Sequence, residues 1–353
     1  MALQAAFTLN PNEIFASIAN MIISQEVFAD NLGKHQTLVD KARVDGGLYG
    51  DKKLYYATDV LKSHPWGADN EATNLLSLDR PDDPEVQDIT LDIFRQIRLT
   101  VDNYLSKRAW SNEGAFSSFN SIMLGWMRET KRVYDGTLYN VFIGTTKSAK
   151  AAQNIAVTLT GTNDAQVIAE ALANLLVAMG DYSRDFNDYE FLRSYAESDI
   201  KFIWNSKYVN EIKKIDLPTI FHKDGLVDKF EEEVLPARYF GNVNTAEVTA
   251  NNNTGLYRSV IEKDYTVSNK VTHVFPGDYI PAGVVIAKGE GYLEDADVIC
   301  KVLVKLPPYM SAFEVGTSFF NPRSLTENHY LTFGHNTLEY LKNYPFITVK
   351  KAS

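Results

Sequence analysis

Between Gln87 and Asp102 apolar and polar residues alternate almost one for one. Ile89, Leu91, Ile93, Ile97, Leu99 and Val101 are interleaved with Thr90, Asp92, Gln96, Arg98, Thr100 and Asp102, and only Phe94 and Arg95 break the pattern. A period of two is the mark of a strand with one buried and one wet face. At about 3.3 Å per residue such a strand reaches about 40 Å, beyond the ~3–10 residues usual in globular domains. A strand of that length suits a sheet that reaches out of its own domain, which serves an assembly better than an enzyme.

After Asn112 the period changes. Phe116, Phe119, Ile122, Met123, Trp126, Met127, Thr130, Val133 and Tyr134 recur at three- and four-residue steps, while Asn120, Ser121, Arg128, Glu129, Lys131 and Arg132 fall on other faces. This predicts a long amphipathic helix, capped by Asn112, with Glu113 at the positive end of its dipole. Phe116, Phe119, Met123 and Trp126 are its expected core face, packed on a sheet; the aromatic stripe reads as core and not as a cofactor box.

The remaining elements are shorter. Glu13–Phe28 is amphipathic behind Asn12, and the rest of the first forty residues has no clear period and reads as an extended arm. Residues 44–51 are rich in turn formers, Lys53–Val60 reads as a strand, and Asp82-Asp83-Pro84 closes the segment. Together they predict a long two-stranded loop with little core beneath it, which needs support from a neighbour. Further on, the pattern predicts a helix over 164–179 ending at Gly180, a helical stretch over 189–196 and a strand over 200–204. A helix capped by Asn205-Ser206 follows, and beyond Phe221 come mostly strands and turns, with 284–287, 298–304 and 346–349 the clearest. The class is α+β, without alternating βαβ units.

Composition narrows the function. The chain has 353 residues, 45% of them hydrophobic, and a formal charge of −10. That charge opposes a role in coating nucleic acid, which requires positive patches. Cys300 is the only cysteine, which excludes disulfide frameworks and thiolate clusters, and it sits in an apolar run as a buried, inert thiol. No apolar run approaches ~18 residues and no signal peptide is legible, so no membrane partner is expected.

Catalytic constellations are sparse. Gly289-Glu290-Gly291 lacks a third glycine and a following helix and reads as a turn; no phosphate-binding loop occurs. The six histidines are scattered, Glu231-Glu232-Glu233 reads as a solvated helix face, and Glu294, Asp295 and Asp297 read as a loop rim. No catalytic, cofactor or metal residues are assigned. Aromatics are more informative: Tyr49, Tyr55 and Tyr56 fall where little local core exists, and aromatics anchor protein interfaces.

In the order of its parts the chain resembles the major capsid proteins of tailed bacteriophages, the fold named after phage Hong Kong 97. The residues that carry the resemblance are the long strand Ile89–Leu105 and the spine-like helix Glu113–Tyr139. To these are added the turn Gly46-Gly47-Leu48-Tyr49-Gly50-Asp51 within a loop at 41–83, and the segment Asp199–Tyr208 with its aromatic strand, Asn turn and helix. The resemblance implies an N-terminal arm (1–40), an extended hairpin loop (41–85), a peripheral domain (86–145), an axial domain with a β-rich insertion (146–310) and a C-terminal return to the peripheral domain (311–353).

It further implies a non-enzymatic shell subunit that assembles with itself as hexamers and pentamers around double-stranded DNA, without binding it specifically. It would be made in the host cytoplasm and located in the virion head. No long charged helical extension precedes the arm, so a separate scaffolding protein is expected, together with a portal; no covalent cross-link residues are assigned. An encapsulin-like compartment shell, a tail or baseplate protein and an enzyme of unrecognised type remain the alternatives.

Overall fold

The structure, a computed structural model, describes residues 37–45, 52–63, 78, 80–102, 113–161, 163–212, 231–251, 255–295 and 297–352. The expected helix over 13–28 and the turn around Tyr49 lie outside them. In chain order the helices are α1 (Thr37–Ala42), α2 (Glu113–Thr145), α3 (Asp164–Gly180) and α4 (Ser206–Ile212). The strands are β1 (Arg43–Asp45), β2 (Lys52–Ala57), β3 (Glu85–Asp102), β4 (Asn154–Val157), β5 (Lys201–Asn205), β6 (Glu231–Leu235), β7 (Gly241–Val243), β8 (Val248–Thr249) and β9 (Tyr257–Ser259). They continue with β10 (Lys263–Val267), β11 (Lys270–Val274), β12 (Val285–Ile286), β13 (Gly291–Glu294), β14 (Val298–Leu303), β15 (Tyr309–Asn321), β16 (Thr326–Asn336) and β17 (Phe346–Lys351).

The chain divides into two compact units. The first holds residues 1–51, 90–140 and 309–337. Its strands run β1-β15-β16-β3: β15 and β16 form an antiparallel hairpin, β16 pairs with β3 from Thr326–Asp102 to Asn336–Leu91, and β1 lies parallel to Tyr309–Ser311. Along β3 the odd positions face inward and the even ones outward, as the alternation predicts. The two lapses have physical reasons. Arg95 falls on the inner face but lays its guanidinium over the Tyr134 ring, 5.6 Å from its centre. Phe94 falls on the wet face, where its ring covers Gly334 of β16; a Cβ there would come within 3.0 Å of it. Helix α2 meets the inner face of the sheet through Tyr134, edge-on to Phe333 at 5.7 Å.

The second unit holds residues 52–89, 141–308 and 338–353. Its main sheet runs β4-β17-β14-β5-β6, with β14 at the centre, antiparallel to both neighbours, and parallel pairs at either edge. Every residue of β14 is buried. One face packs against α3, whose Ile168, Leu172, Leu175, Leu176 and Met179 join Phe202, Trp204, Cys300, Val302, Ile347 and Val349 in one core. The insertion adds a sheet β7-β13-β9, the pair β12-β8 and the hairpin β10-β11 around Tyr265, Val274, Ile280 and Ile286. Strand β2 belongs here too, its Lys52 paired with Asp88 of β3 at 2.5 Å.

Three expectations change, and one element is new. Residues 37–40, read as the end of an extended arm, and 41–42, read as the start of the hairpin loop, form α1 with Leu38, Val39 and Ala42 buried. Residues 189–196 are not helical: Ser183 and Arg193 exchange both backbone hydrogen bonds, and Asn187 bonds both the N–H and the carbonyl of Phe191, which commits the groups a helix would need. Glu231–Glu233 lie in β6 rather than on a helix; an edge strand keeps one side wet and tolerates acidic residues. The β15–β16 hairpin is not apparent from the sequence pattern.

Candidate assembly surfaces

The extended segment at 52–63 is held at its start by the pairing of β2 with β3 and the Lys52–Asp88 ion pair, and further on by a clamp at Asp59. Asp59 accepts the N–H of Leu192 (2.9 Å) and Nη1 of Arg184 (2.6 Å), while Arg193 Nη2 donates to the Thr58 carbonyl (2.6 Å). The Leu192 hydrogen bond and the Arg184 partner hold the Asp59 carboxyl down at about 2. Around this clamp the apolar side chains are uncovered: Leu54, Val60 and Leu61 are exposed, and Tyr56 is 65% exposed. Tyr55, on the other side of β2, is half-buried, and that burial raises its pKa. Tyr49 lies outside the described residues. So of the three tyrosines expected at an interface, one is presented fully and one partly.

The expected spine-helix core divides similarly. Phe116, Phe119 and Met123 fall within α2, but their side chains lie outside the described residues. Trp126 is half-buried and Met127 beside it is buried.

Sequence reasoning did not anticipate the polar hub of the first unit. Asp135 of α2 is buried and accepts the Tyr309 hydroxyl at 2.6 Å, with Lys131 Nζ at 3.3 Å and Arg43 Nη2 at 3.4 Å on its other oxygen. Next to it the Tyr134 hydroxyl meets His335 Nε2 at 2.9 Å, and His335 Nδ1 meets the Asn336 carbonyl at 2.9 Å. Burial lowers the pKa of His335. Asn336 in turn accepts the Met310 N–H. The available signal was the Lys131–Asp135 pair, one helical turn apart beside Met127 and Tyr134 of the apolar stripe. The hub ties α2, β1, β15 and β16 together.

A groove of about 650 Å³ lies in the same unit, bordered by Gly125, Met127 and Arg128 of α2, Gly316 and Ser318 of β15, and Leu331 of β16. Glu314, His329 and Tyr330 also line it. In the second unit His273 bonds Asp264 (2.5 Å) and Glu262 (2.8 Å); burial disfavours its charged form, but the two carboxylates outweigh it and raise its pKa. Cys300 is fully buried and its thiol is pushed up by that burial. Among the described residues no cluster of three or more His, Cys, Asp or Glu side chains could hold a metal ion, and no helix is long and apolar enough to cross a membrane.

The sequence matches no protein-family model and no curated protein. Solved structures do match. A chain in the capsid structure of Staphylococcus phage Andhra superposes with a TM-score of 0.60 at 12% identity, over 88% of this chain and 83% of that one. A chain in the structure of the head fiber and inner core protein gp22 of native bacteriophage P68 matches with a TM-score of 0.55, again at 12% identity and over 88% and 83% of the two chains. At such identity the likeness is one of backbone architecture: this chain has the α+β, Hong Kong 97-like fold of tailed-phage major capsid proteins.

Proposed function

We propose that this chain is a major capsid protein, a structural subunit that assembles with copies of itself into the icosahedral head shell of a tailed phage around double-stranded DNA. The observation that carries this reading is the apolar surface of the 52–63 segment, where Leu54, Tyr56 and Leu61 are exposed on a strand with little core beneath it, in a chain with the fold of a phage capsid. Exposed apolar side chains clustered on one segment favour burial against another protein. On this reading Tyr49, Tyr55 and Tyr56 lie at contacts between copies within hexamers and pentamers. Phe116, Phe119, Met123 and Trp126 hold α2 to its sheet. The first unit serves as the peripheral domain and the second as the axial domain. The protein has no catalytic role; a separate scaffolding protein and a portal complete the particle in the host cytoplasm, and the DNA is enclosed without specific contacts. Expression of the chain with its neighbouring structural genes, followed by electron microscopy, tests this: closed DNA-containing shells are expected. Particles filled with protein cargo, or rings and tubes, would favour a compartment shell or a tail component instead. Deletion of Gly46–Lys53 is expected to leave the circular dichroism of the subunit intact and abolish closed shells.

A further inference from the structure

Strand β15 has β16 along one side as far as Asn321, while on its other side β1 reaches only to Ser311. Among the described residues, therefore, no strand flanks its outer edge from Ala312 to Asn321. From Gly316 to Phe320 both faces of this stretch are uncovered as well. Gly316, Thr317 and Ser318 are exposed, and Phe319 and Phe320, which point to opposite faces, are 60% and 49% exposed. Natural edge strands are usually blunted by charge, proline or short length, because free backbone groups recruit other strands. From Val315 to Asn321 the sequence VGTSFFN has neither charge nor proline, in a chain whose net charge is −10.

We propose that this edge pairs antiparallel with the same edge of a second copy, about a two-fold axis at Thr317. This rests on the shell reading and names one surface through which its subunits meet. In that register Val315 stands opposite Phe319 of the second copy, Gly316 opposite Ser318, and Glu314 opposite Phe320. No like charges face each other, and Val–Phe and Thr–Thr are favourable cross-strand pairs. The one charge at the margin, Glu314, is already paired with Lys131 at 3.3 Å. Gly316 leaves space: nothing lies within 4 Å of where its Cβ would be. Gly316 also borders the groove beside α2. The Phe320 side chain of the second copy, opposite Glu314 and diagonal to Gly316, is directed to that groove, and symmetry makes the exchange mutual. An isologous contact of this kind closes on itself and does not propagate into fibres.

The native cysteine does not interfere with a cross-linking test, since Cys300 is fully buried. In the full-length chain Thr317→Cys places two thiols at facing positions, whose Cα atoms would be about 4.5–5.5 Å apart and within disulfide reach. Mild oxidation of assembled material is expected to convert most of it to covalent dimers. Asn321→Cys is the control: its two copies would be roughly 27 Å apart at ~3.4 Å per residue and should not link. Adding Phe319→Lys to Thr317→Cys should reduce dimer yield at least tenfold. A folded Thr317→Cys protein that forms closed shells without linking, or an Asn321→Cys protein that links equally, overturns the pairing and leaves the shell reading in place. Linked dimers that never form shells with any partner overturn the shell reading and leave the pairing.

Discussion

Strands β14 and β15 are neighbours in sequence and opposites in circumstance. β14 is buried along its whole length and encloses a lysine; β15 is longer, more aromatic at its end, and leaves two phenylalanines in water. The difference is one of partners, not composition. β14 has β17 and β5 on its two edges, and its lysine is satisfied: Lys301 Nζ donates to the Thr146 carbonyl at 2.7 Å and to Thr348 Oγ1 at 2.8 Å. Thr146 lies just past the last residue of α2, so this amine sits where a helix terminus leaves its carbonyls unpaired. β15 beyond Ser311 has one strand beside it and none on its other side among the described residues. One strand is complete within the subunit, and the other is completed by the contact proposed above.

Substitutions should separate the two cases. The largest effect is expected at Trp204, buried in β5 and stacked on Phe202 at 5.7 Å. Trp204→Ala should cost ~3–5 kcal/mol, read from the urea midpoint of the subunit, because the core around it cannot refill the space. Asp135→Ala comes next in unit one: it removes one of the two carboxylates at 3.3 Å from the buried Lys131, leaving Glu314, and takes the acceptor from the buried Tyr309 hydroxyl, and should cost ~2 kcal/mol, with the same readout. Asp135→Asn should cost less, because the amide oxygen still accepts from Tyr309.

Lys301 adds a pH dependence. Burial, with Lys147 nearby, lowers its pKa to about 7, against about 10.4 for a free lysine. Between these values the unfolded chain binds more protons than the folded one, so this residue makes stability rise with pH from about 7 to about 10.4, by at most ~1.4 kcal/mol per pH unit, and flat below 7. Lys301→Met should remove that slope. If the wild-type urea midpoint is level across the same window, the lysine is charged in the fold and the assignment is wrong. The smallest effect on folding is expected on the exposed strands: Tyr56→Ala and Phe319→Ala should change subunit stability by less than ~0.5 kcal/mol while lowering the yield of closed particles.

The sequence made legible those elements whose two faces differ. β3 alternates because α2 covers one face only, and α3 and β17 lie where the 3.6-residue period and the apolar run place them. The distal part of β15 offered no such signal, since residues wet on both faces need not alternate. Residues 189–196 carried helical spacing, but Asn187, Ser183 and Asp59, reaching from elsewhere in the sequence, took the backbone groups first. The hub around Asp135 was hidden for a related reason: Tyr309 and His335 lie far along the chain from Lys131, and a single period cannot register such pairs.

The order of strands in the second unit has a consequence in time. β4 joins its sheet only through β17, and β17 also supplies one edge of β14. While the chain is being synthesised, residues 154–157 therefore wait until about residue 351 has left the ribosome, roughly 200 residues later and on the order of 10–40 s at ~5–20 residues per second. The core thus closes after synthesis of this stretch and not during it, from contacts distant in sequence that form slowly. A nascent chain that has not yet delivered β17 therefore has an incomplete sheet, and the edges of β4 and β14 that β17 covers stay open until it arrives.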